Sequence, residues 1–334
     1  MDAGELKNIP FNEWCSYNSY TSVYYASKKK LSVNLVTKEI KKIQPDVLFI
    51  IGIYSPYFNL VPMLFAKVPR KILSARGMLH PGALSQKKNK KKAYLFLWKL
   101  LGLQNKCIFH ATDEKEKKYI QHALGNKTNI FIASNFPRYF ENALMPKKMP
   151  GRLSLVSVAL ISPVKNFIRI LTAMANCNYQ IDYNIYGAVN DENYWTLCLE
   201  QIKRLPANIS VTWHGDVHPA NVEAALKGSH VFILPSMSEN FGHAIYEALS
   251  AGRPAITSNY TPWNNLFENC AGMNVSLDND IELLKAINFF AEMGNDEIIH
   301  WGSCAHDYSE KAIDVEQIKE QYKRMFLGKL NEQL

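Results

Sequence analysis

The stretch Ser238-Glu-Asn-Phe-Gly-His-Ala-Ile-Tyr-Glu-Ala-Leu-Ser-Ala-Gly-Arg-Pro254 sets two carboxylates, Glu239 and Glu247, around the opening of a helix. A buried-strand pattern, HVFILPS, ends at Ser236 just before it, and Ala244, Ile245, Ala248 and Leu249 recur at helical spacing. Glu239 is therefore expected in the turn and Glu247 in the helix. Gly242 lets backbone come close to a ligand, and the free N–H groups of a first helical turn, reinforced by the helix dipole, favour an anion such as phosphate. Glu247 shares a helix face with His243 through their four-residue spacing. Carboxylates on either side of a phosphate site suit two hydroxyl-bearing rings joined through phosphate, the shape of a nucleotide sugar; an acidic helix face packed beside a strand is the alternative. Lys165 adds a cation at the head of a second helical pattern, 165–176, where positive charge opposes the dipole unless a bound anion lies between. An exposed lysine whose stem lies along the surface is the competing reading.

The elements that position these groups follow a βαβα rhythm. Short apolar runs, among them VLFIIGI (47–53), KILSA (71–75), CIFHAT (107–112), NIFIAS (129–134), LSLVSVALI (153–161), IDYNIYG (181–187), ISVTWHG (209–215), HVFILPS (230–236) and PAITSN (254–259), read as strands buried on both faces. Helical patterns fall between them, including 33–44, 86–102, 165–176, 242–251 and 280–293, with a long terminal one near 314–330. Met145-Pro-Lys-Lys-Met-Pro-Gly151 interrupts the rhythm and reads as an interdomain linker. The division expected is 1–148, a first domain; 149–315, a second; and 316–334, a helix returning toward the first.

The run S-E-x-F-G-x-x-x-x-E-A-L-x-A-G-x-P, with the strand before it, resembles the E-x7-E signature of the family-4 retaining glycosyltransferases of the GT-B fold, and the likeness extends over about residues 45–330. It implies an α/β, GT-B-like protein with two doubly wound, Rossmann-type domains facing a cleft, 1–148 being the acceptor-side domain and 149–315 the nucleotide-sugar-binding domain. In that family the first glutamate lies by the transferred sugar and the second holds the nucleotide ribose, here Glu239 and Glu247. Backbone amides of Asn240, Phe241 and Gly242 would meet sugar and diphosphate. A second family element, R-x-x-x-x-x-K-N after a strand, reads Ala159-Leu-Ile-Ser-Pro-Val-Lys165-Asn166: the lysine for the diphosphate is present, and alanine replaces the arginine. Arg253 and Arg76 are candidate substitutes. His214-Gly215-Asp216-Val217 resembles the loop flanking the nucleotide base, which assigns Gly215 and Val217 to donor binding, with an ordinary β-to-α turn as the alternative. Ile72 to Leu79 resembles the segment facing the donor sugar; relatives carry a histidine there, whereas this chain has Arg76, with His80 beyond. His110, at a strand's carboxyl end, is a further candidate or a structural histidine. Residues 1–30 lack the first strand and glycine-rich loop of the family, so a fragment or shortened variant with an incomplete first sheet is expected.

The resemblance thus implies transfer of a sugar, with retained configuration, from a nucleotide diphosphate sugar to a glycan or lipid-linked acceptor, without a cofactor. Asp278-Asn-Asp280 has the D-x-D spacing of metal-dependent enzymes, but Asp280 reads as the N-cap of the 280–293 helix and no metal site is expected. A degenerate protein that only binds sugar nucleotides, and an epimerase of similar architecture, are the rival readings.

Composition narrows the rest. With 47% apolar and 20% charged residues the 334-residue chain is globular, and no uncharged apolar run is long enough to cross a membrane. The opening residues lack the basic-then-apolar layout of a signal peptide, so a cytoplasmic location is expected. Six cysteines without a C-x-x-C pair suggest neither a zinc cage nor a disulfide framework, and read as reduced, mostly buried thiols. Residues 1–150 carry 25 Lys and Arg against 9 Asp and Glu, a net +16, while 151–334 carry 13 against 21, a net −8. Clusters at 28–30, 87–92 and 115–118 could meet an anionic membrane or acceptor, or form a solvated helix face; no motif points to nucleic acid.

Overall fold

The computed structural model describes residues 10–85 and 87–328, in two compact units, 10–135 with 316–328, and 136–315. The terminal segments 1–9, read above for a leader, and 329–334, including the end of the last expected helix, lie outside the described residues.

The first unit opens with an antiparallel hairpin of β1 (Trp14–Asn18) and β2 (Thr21–Tyr24), followed by α1 (Val33–Ile43) and β3 (Val47–Ile51). After a π-helical turn come α2 (Val61–Phe65), β4 (Arg70–Ser74), α3 (Pro81–Ser85), α4 (Lys88–Leu100), β5 (Ile108–Ala111), α5 (Glu114–Leu124) and β6 (Ile130–Ile132). Strands β3 to β6 form a parallel sheet in sequential order, with Phe49 opposite Ile72 and Phe109 opposite Ile130. Among the described residues nothing before Val47 joins that sheet; the polar, aromatic segment expected to lack a sheet strand pairs with itself instead.

The second unit holds β7 (Arg152–Val158), α6 (Phe167–Met174), β8 (Gln180–Tyr186), α7 (Glu192–Ile202), β9 (Ile209–Trp213), α8 (Val222–Lys227), β10 (Val231–Leu234), α9 (His243–Ser250), β11 (Ala255–Ser258), β12 (Gly272–Val275), α10 (Ile281–Glu292) and α11 (Asn295–Ala312). Its six strands are parallel in the order β12-β11-β10-β7-β8-β9, the Rossmann arrangement, which reverses direction between β7 and β10. Such a reversal sends the loops after the two central strands to opposite faces and opens a crevice at their carboxyl ends. The last helix, α12 (Val315–Leu327), returns to the first unit: Met325 is buried with Ile72 and Ile108, and its carbonyl accepts from Arg70 Nε at 2.9 Å.

The β1–β2 hairpin, α3, β12 and α11 lay outside the sequence reading. The run at 295–312 is mostly polar and broken by Gly302, which blurs its period; that glycine is a packing requirement, since a Cβ there would lie 2.5 Å from Met145 Cε and 2.7 Å from the Gly252 carbonyl. Helix α6 starts at Phe167 rather than at 165, because Asn166 takes a left-handed conformation (φ +64°) after a 3₁₀ turn over Pro163–Lys165.

Candidate functional site

Two loops meet at the topological switch point. After β7 the chain runs to Lys165, and after β10 it runs to Glu239. Lys165 Nζ donates to Glu239 Oε1 at 2.5 Å, and Ser236 Oγ donates to the same oxygen at 2.8 Å. The loops are also joined through backbone: Met237 N donates to the Val164 carbonyl at 2.8 Å, and buried Asn166 Nδ2 donates to the Pro235 carbonyl at 3.1 Å. Lys165 therefore stands in a turn before α6 rather than in its first helical turn, and its countercharge within the protein is Glu239. The pair is only partly exposed, 23% for the lysine side chain and 12% for the glutamate, so both remain open to a ligand.

Helix α9 begins at once beyond this loop. Gly242 holds φ +76°, and a Cβ on it would fall 3.0 Å from Trp263 Nε1 and 3.1 Å from Ile245 Cδ1, so glycine is required for both conformation and space. Trp263 Nε1 donates to the Phe241 carbonyl at 2.6 Å and fixes the loop from behind. No side chain caps α9, its first turn carries no acid, and Asn240 and His243 beside it are exposed. One turn further on, Glu247 lines a cavity with His243, Arg138, Tyr139, Phe136 and Val315. Burial raises its carboxyl above the usual range, opposed by the positive charge of Arg138. Glu239 is thus ion-paired with a lysine, whereas Glu247 shares its cavity with an arginine. Arg138, which also donates to the Pro219 carbonyl at 2.7 Å, went unnoticed in the sequence because it belongs to no motif and reaches Glu247 only through the fold.

At the carboxyl ends of β8 and β9, Gly215 adopts φ +75° and its carbonyl accepts from Gly187 N at 2.7 Å. Val217 packs against the core, with its amide turned to Asp216 Oδ1 at 3.1 Å. Beside them His214 stacks on Tyr186, centroids 4.3 Å apart and planes 8° from parallel, and His214 Nε2 pairs with Asn184 Oδ1 at 2.8 Å. This flat aromatic pair was not anticipated, since the two rings are far apart in sequence.

Arg253 is not a second diphosphate cation. It is fully buried, and its guanidinium donates to six backbone carbonyls, those of Ala143, Leu144, Leu226, Lys227, Ala251 and Gly252. Burial lowers its pKa to about 10. The D-x-D carboxylates are likewise engaged: Asp280 pairs with Arg169 Nε at 3.0 Å, and Asp278 accepts from Ser276 Oγ at 2.7 Å. Asp280 is the N-cap residue of α10, as expected, but its side chain makes no capping bond; Asn279 Oδ1 accepts from Ile281 N at 3.0 Å instead.

In the first unit, Arg76 is exposed at φ +49°, with Nη1 donating to Asn135 Oδ1 at 2.6 Å. Buried Glu116 holds the adjoining turn, accepting from Gly77 N at 2.7 Å and from Thr112 N and Oγ1 at 2.8 Å. His80 is occupied locally, its Nδ1 accepting from Gly82 N at 3.0 Å and its ring meeting Tyr119 edge-on. His110 is structural: wholly buried, it is bonded to Ser74 Oγ at 2.9 Å and the Ala133 carbonyl at 2.8 Å, and burial lowers its pKa.

Residues 146–298 match the family model of glycosyl transferases group 1, a span that contains Lys165, Gly215, Val217, Glu239 and Glu247. That segment is similar to the group 1 glycosyltransferases. Solved structures agree with this chain in fold. HepE from Anabaena, in complex with UDP and glucose, superposes with TM-score 0.64 at 17% identity, over 88% of this chain and 81% of that one. A variant of TarM from S. aureus, in complex with fondaparinux, alpha-GlcNAc-glycerol and UDP, gives 0.64 at 16% identity over 88% of this chain, which spans only 58% of that longer protein. Sucrose-phosphate synthase from Thermosynechococcus elongatus gives 0.68 at 14% identity, over 96% and 86%. No curated protein matches by sequence search. The GT-B glycosyltransferase fold is thereby established for a chain whose sequence has diverged far from these structures.

Proposed function

We propose that this glycosyltransferase moves a sugar, with retention of configuration, from a nucleoside diphosphate sugar to a hydroxyl of a glycan or glycolipid precursor. The observation that carries the reading is the Lys165–Glu239 pair at the switch point, beside the uncapped N-terminus of α9. In this assignment Lys165 and the leading amides of α9 neutralise the departing diphosphate, a preorganised task that needs no divalent ion. Glu239 orients the transferred sugar from a position already fixed by lysine and serine, and Glu247 holds the ribose. The amides of Asn240, Phe241 and Gly242 line the sugar and diphosphate, and Gly215 and Val217 flank the base. Arg76 contributes a cation toward the donor in place of the absent arginine at Ala159. Retention follows when leaving-group charge is held on the face from which the acceptor approaches. UDP in the HepE and TarM complexes favours a uridine donor.

A thermal-shift screen of UDP, GDP, ADP and CDP tests the reading, because specific binding raises Tm by mass action. One nucleotide is expected to stand out, followed by turnover of its sugar with mixed acceptors. Binding without turnover would favour a degenerate sugar-nucleotide-binding protein, a reading to which Ala159 and the structural role of Arg253 lend weight. Turnover without an acceptor would favour an epimerase.

The first unit adds a surface suited to peripheral docking on an anionic membrane. In α4, Leu95 and Trp98 are buried, while Phe96, Leu97 and Leu100 are exposed behind exposed Lys88, Lys90 and Lys92. Lys91 is engaged internally, donating to the Ala83 carbonyl at 2.6 Å and lying over the Tyr54 ring. No helix among the described residues is long and apolar enough to cross a membrane. The proposed location is the cytoplasm, at the inner membrane face, where lipid-linked acceptors lie.

A further inference from the structure

On the second unit, in the segment between β11 and β12 and on α11, the fold gathers three residues that no sequence motif links. Cys270, His300 and Cys304 each offer one ligand atom, and these atoms all lie within 4.8 Å of one another. His300 and Cys304 are one helical turn apart on α11, with Cys304 Sγ 3.7 Å from His300 Nε2. Cys270 arrives from a tight turn, where its amide donates to the Phe267 carbonyl at 3.0 Å and its φ is +50°. The cysteines and the histidine are half-buried and exposed respectively, so a cation can reach all three. Asp307, on the following turn of α11, adds negative charge beside Cys304.

We propose that Cys270, His300 and Cys304 bind a single Zn²⁺ ion that staples the Cys270 turn to α11. Two thiolates and an imidazole are the donor set zinc favours, with a water completing the tetrahedron. Bond lengths of about 2.3 Å to sulfur and 2.0 Å to nitrogen place ligand atoms about 3.5–3.8 Å apart, so closure needs only small side-chain rotations from the arrangement described. Binding displaces the two thiol protons to solvent and changes no oxidation state. The staple holds the backbone just before β12. The same segment carries Trp263, whose indole fixes the Phe241 carbonyl and whose neighbour Asn264 accepts from Tyr308 of α11 at 2.8 Å. A structural role follows, since none of the three residues lines the cavity that Glu247 lines.

The full chain, freed of metal under reducing conditions, is titrated with Zn²⁺ and with Co²⁺ as a spectroscopic probe. One equivalent is expected to bind, with thiolate-to-cobalt charge-transfer absorption that Zn²⁺ abolishes and with a rise in Tm. Cys304→Ser and His300→Ala should each weaken Zn²⁺ binding by more than roughly tenfold, the loss that removing even an outer-shell partner can bring. Cys15→Ser, in the other unit, should leave binding unchanged. Absence of stoichiometric binding overturns the proposal. So does uptake that survives both Cys304→Ser and His300→Ala, or a Cys270–Cys304 disulfide that persists in reductant.

Discussion

The two units are both parallel α/β sheets, yet they prepare their loops differently. In the second, strand order reverses between β7 and β10, and the loops beyond them converge, locked by the Lys165–Glu239 pair and by the backbone bond from Met237 N to the Val164 carbonyl. In the first, β3 to β6 run in sequential order with no reversal, and Arg76 stands exposed on a turn whose fixed point is Glu116 behind it. The charge differs as well: the N-terminal 150 residues are net basic and the rest net acidic. A reversal concentrates preorganised chemistry, whereas a sequential sheet leaves side chains for contact. The ion pair contributes geometry more than stability, because partial exposure screens it and desolvation offsets its attraction.

The contrast can be broken most directly at Lys165. Lys165→Ala should lower turnover by about 10²–10³-fold, the usual loss when one preorganised stabiliser of developing charge is removed. Arg76→Ala should cost far less in the same assay, and equal losses would erase the distinction between the units. Next in size is the surface of α4. Replacing Lys88, Lys90 and Lys92 with glutamine should weaken binding to anionic vesicles by up to about 3 kcal/mol, about 1 kcal/mol per charge, while leaving nucleotide affinity intact. Wild-type chain that ignores such vesicles at low ionic strength, where screening is least, removes the docking role from the first unit.

Glu239→Gln should reduce donor turnover by about 10²-fold and leave affinity for bare nucleoside diphosphate nearly unchanged, since the group it orients is missing from that ligand. Calorimetry showing equal losses on both ligands would move Glu239 to the nucleotide. Glu247→Ala has the smallest expected effect, about 1–3 kcal/mol of nucleotide affinity, the range for a charge-assisted hydrogen bond. Its burial adds a stability signature. Because the folded chain holds the Glu247 proton more tightly than the unfolded chain, the stabilising contribution is complete below the ordinary carboxylate range and is lost as pH rises through the raised pKa. Glu247→Gln should therefore raise the Tm of the ligand-free protein at neutral pH, and a lower Tm would show that the carboxylate is paired rather than merely buried.

Much was legible before the fold was known, for identifiable reasons. Runs such as HVFILPS and LSLVSVALI announce buried strands because a strand covered on both faces needs apolar residues throughout, and that requirement is local. The S-E-x-F-G-x-x-x-x-E-A-L stretch announced a turn and a helix because both depend on nearest neighbours, Gly242 above all. Polar helix α11 escaped notice, since its period is weak and its stability comes from packing around Gly302 against Gly252.

What sequence alone determined, then, was the alternation of elements and the identity of the chemical groups. Only the tertiary structure decided partnership. It assigned Lys165 to Glu239, set Arg138 beside Glu247, retired Arg253 into a cage of six carbonyls and drew Cys270 to His300 and Cys304. The physical reason is range: helix and strand preferences act over a few residues, whereas a charge or a thiol takes its role from whatever the closed chain places within a few ångströms of it.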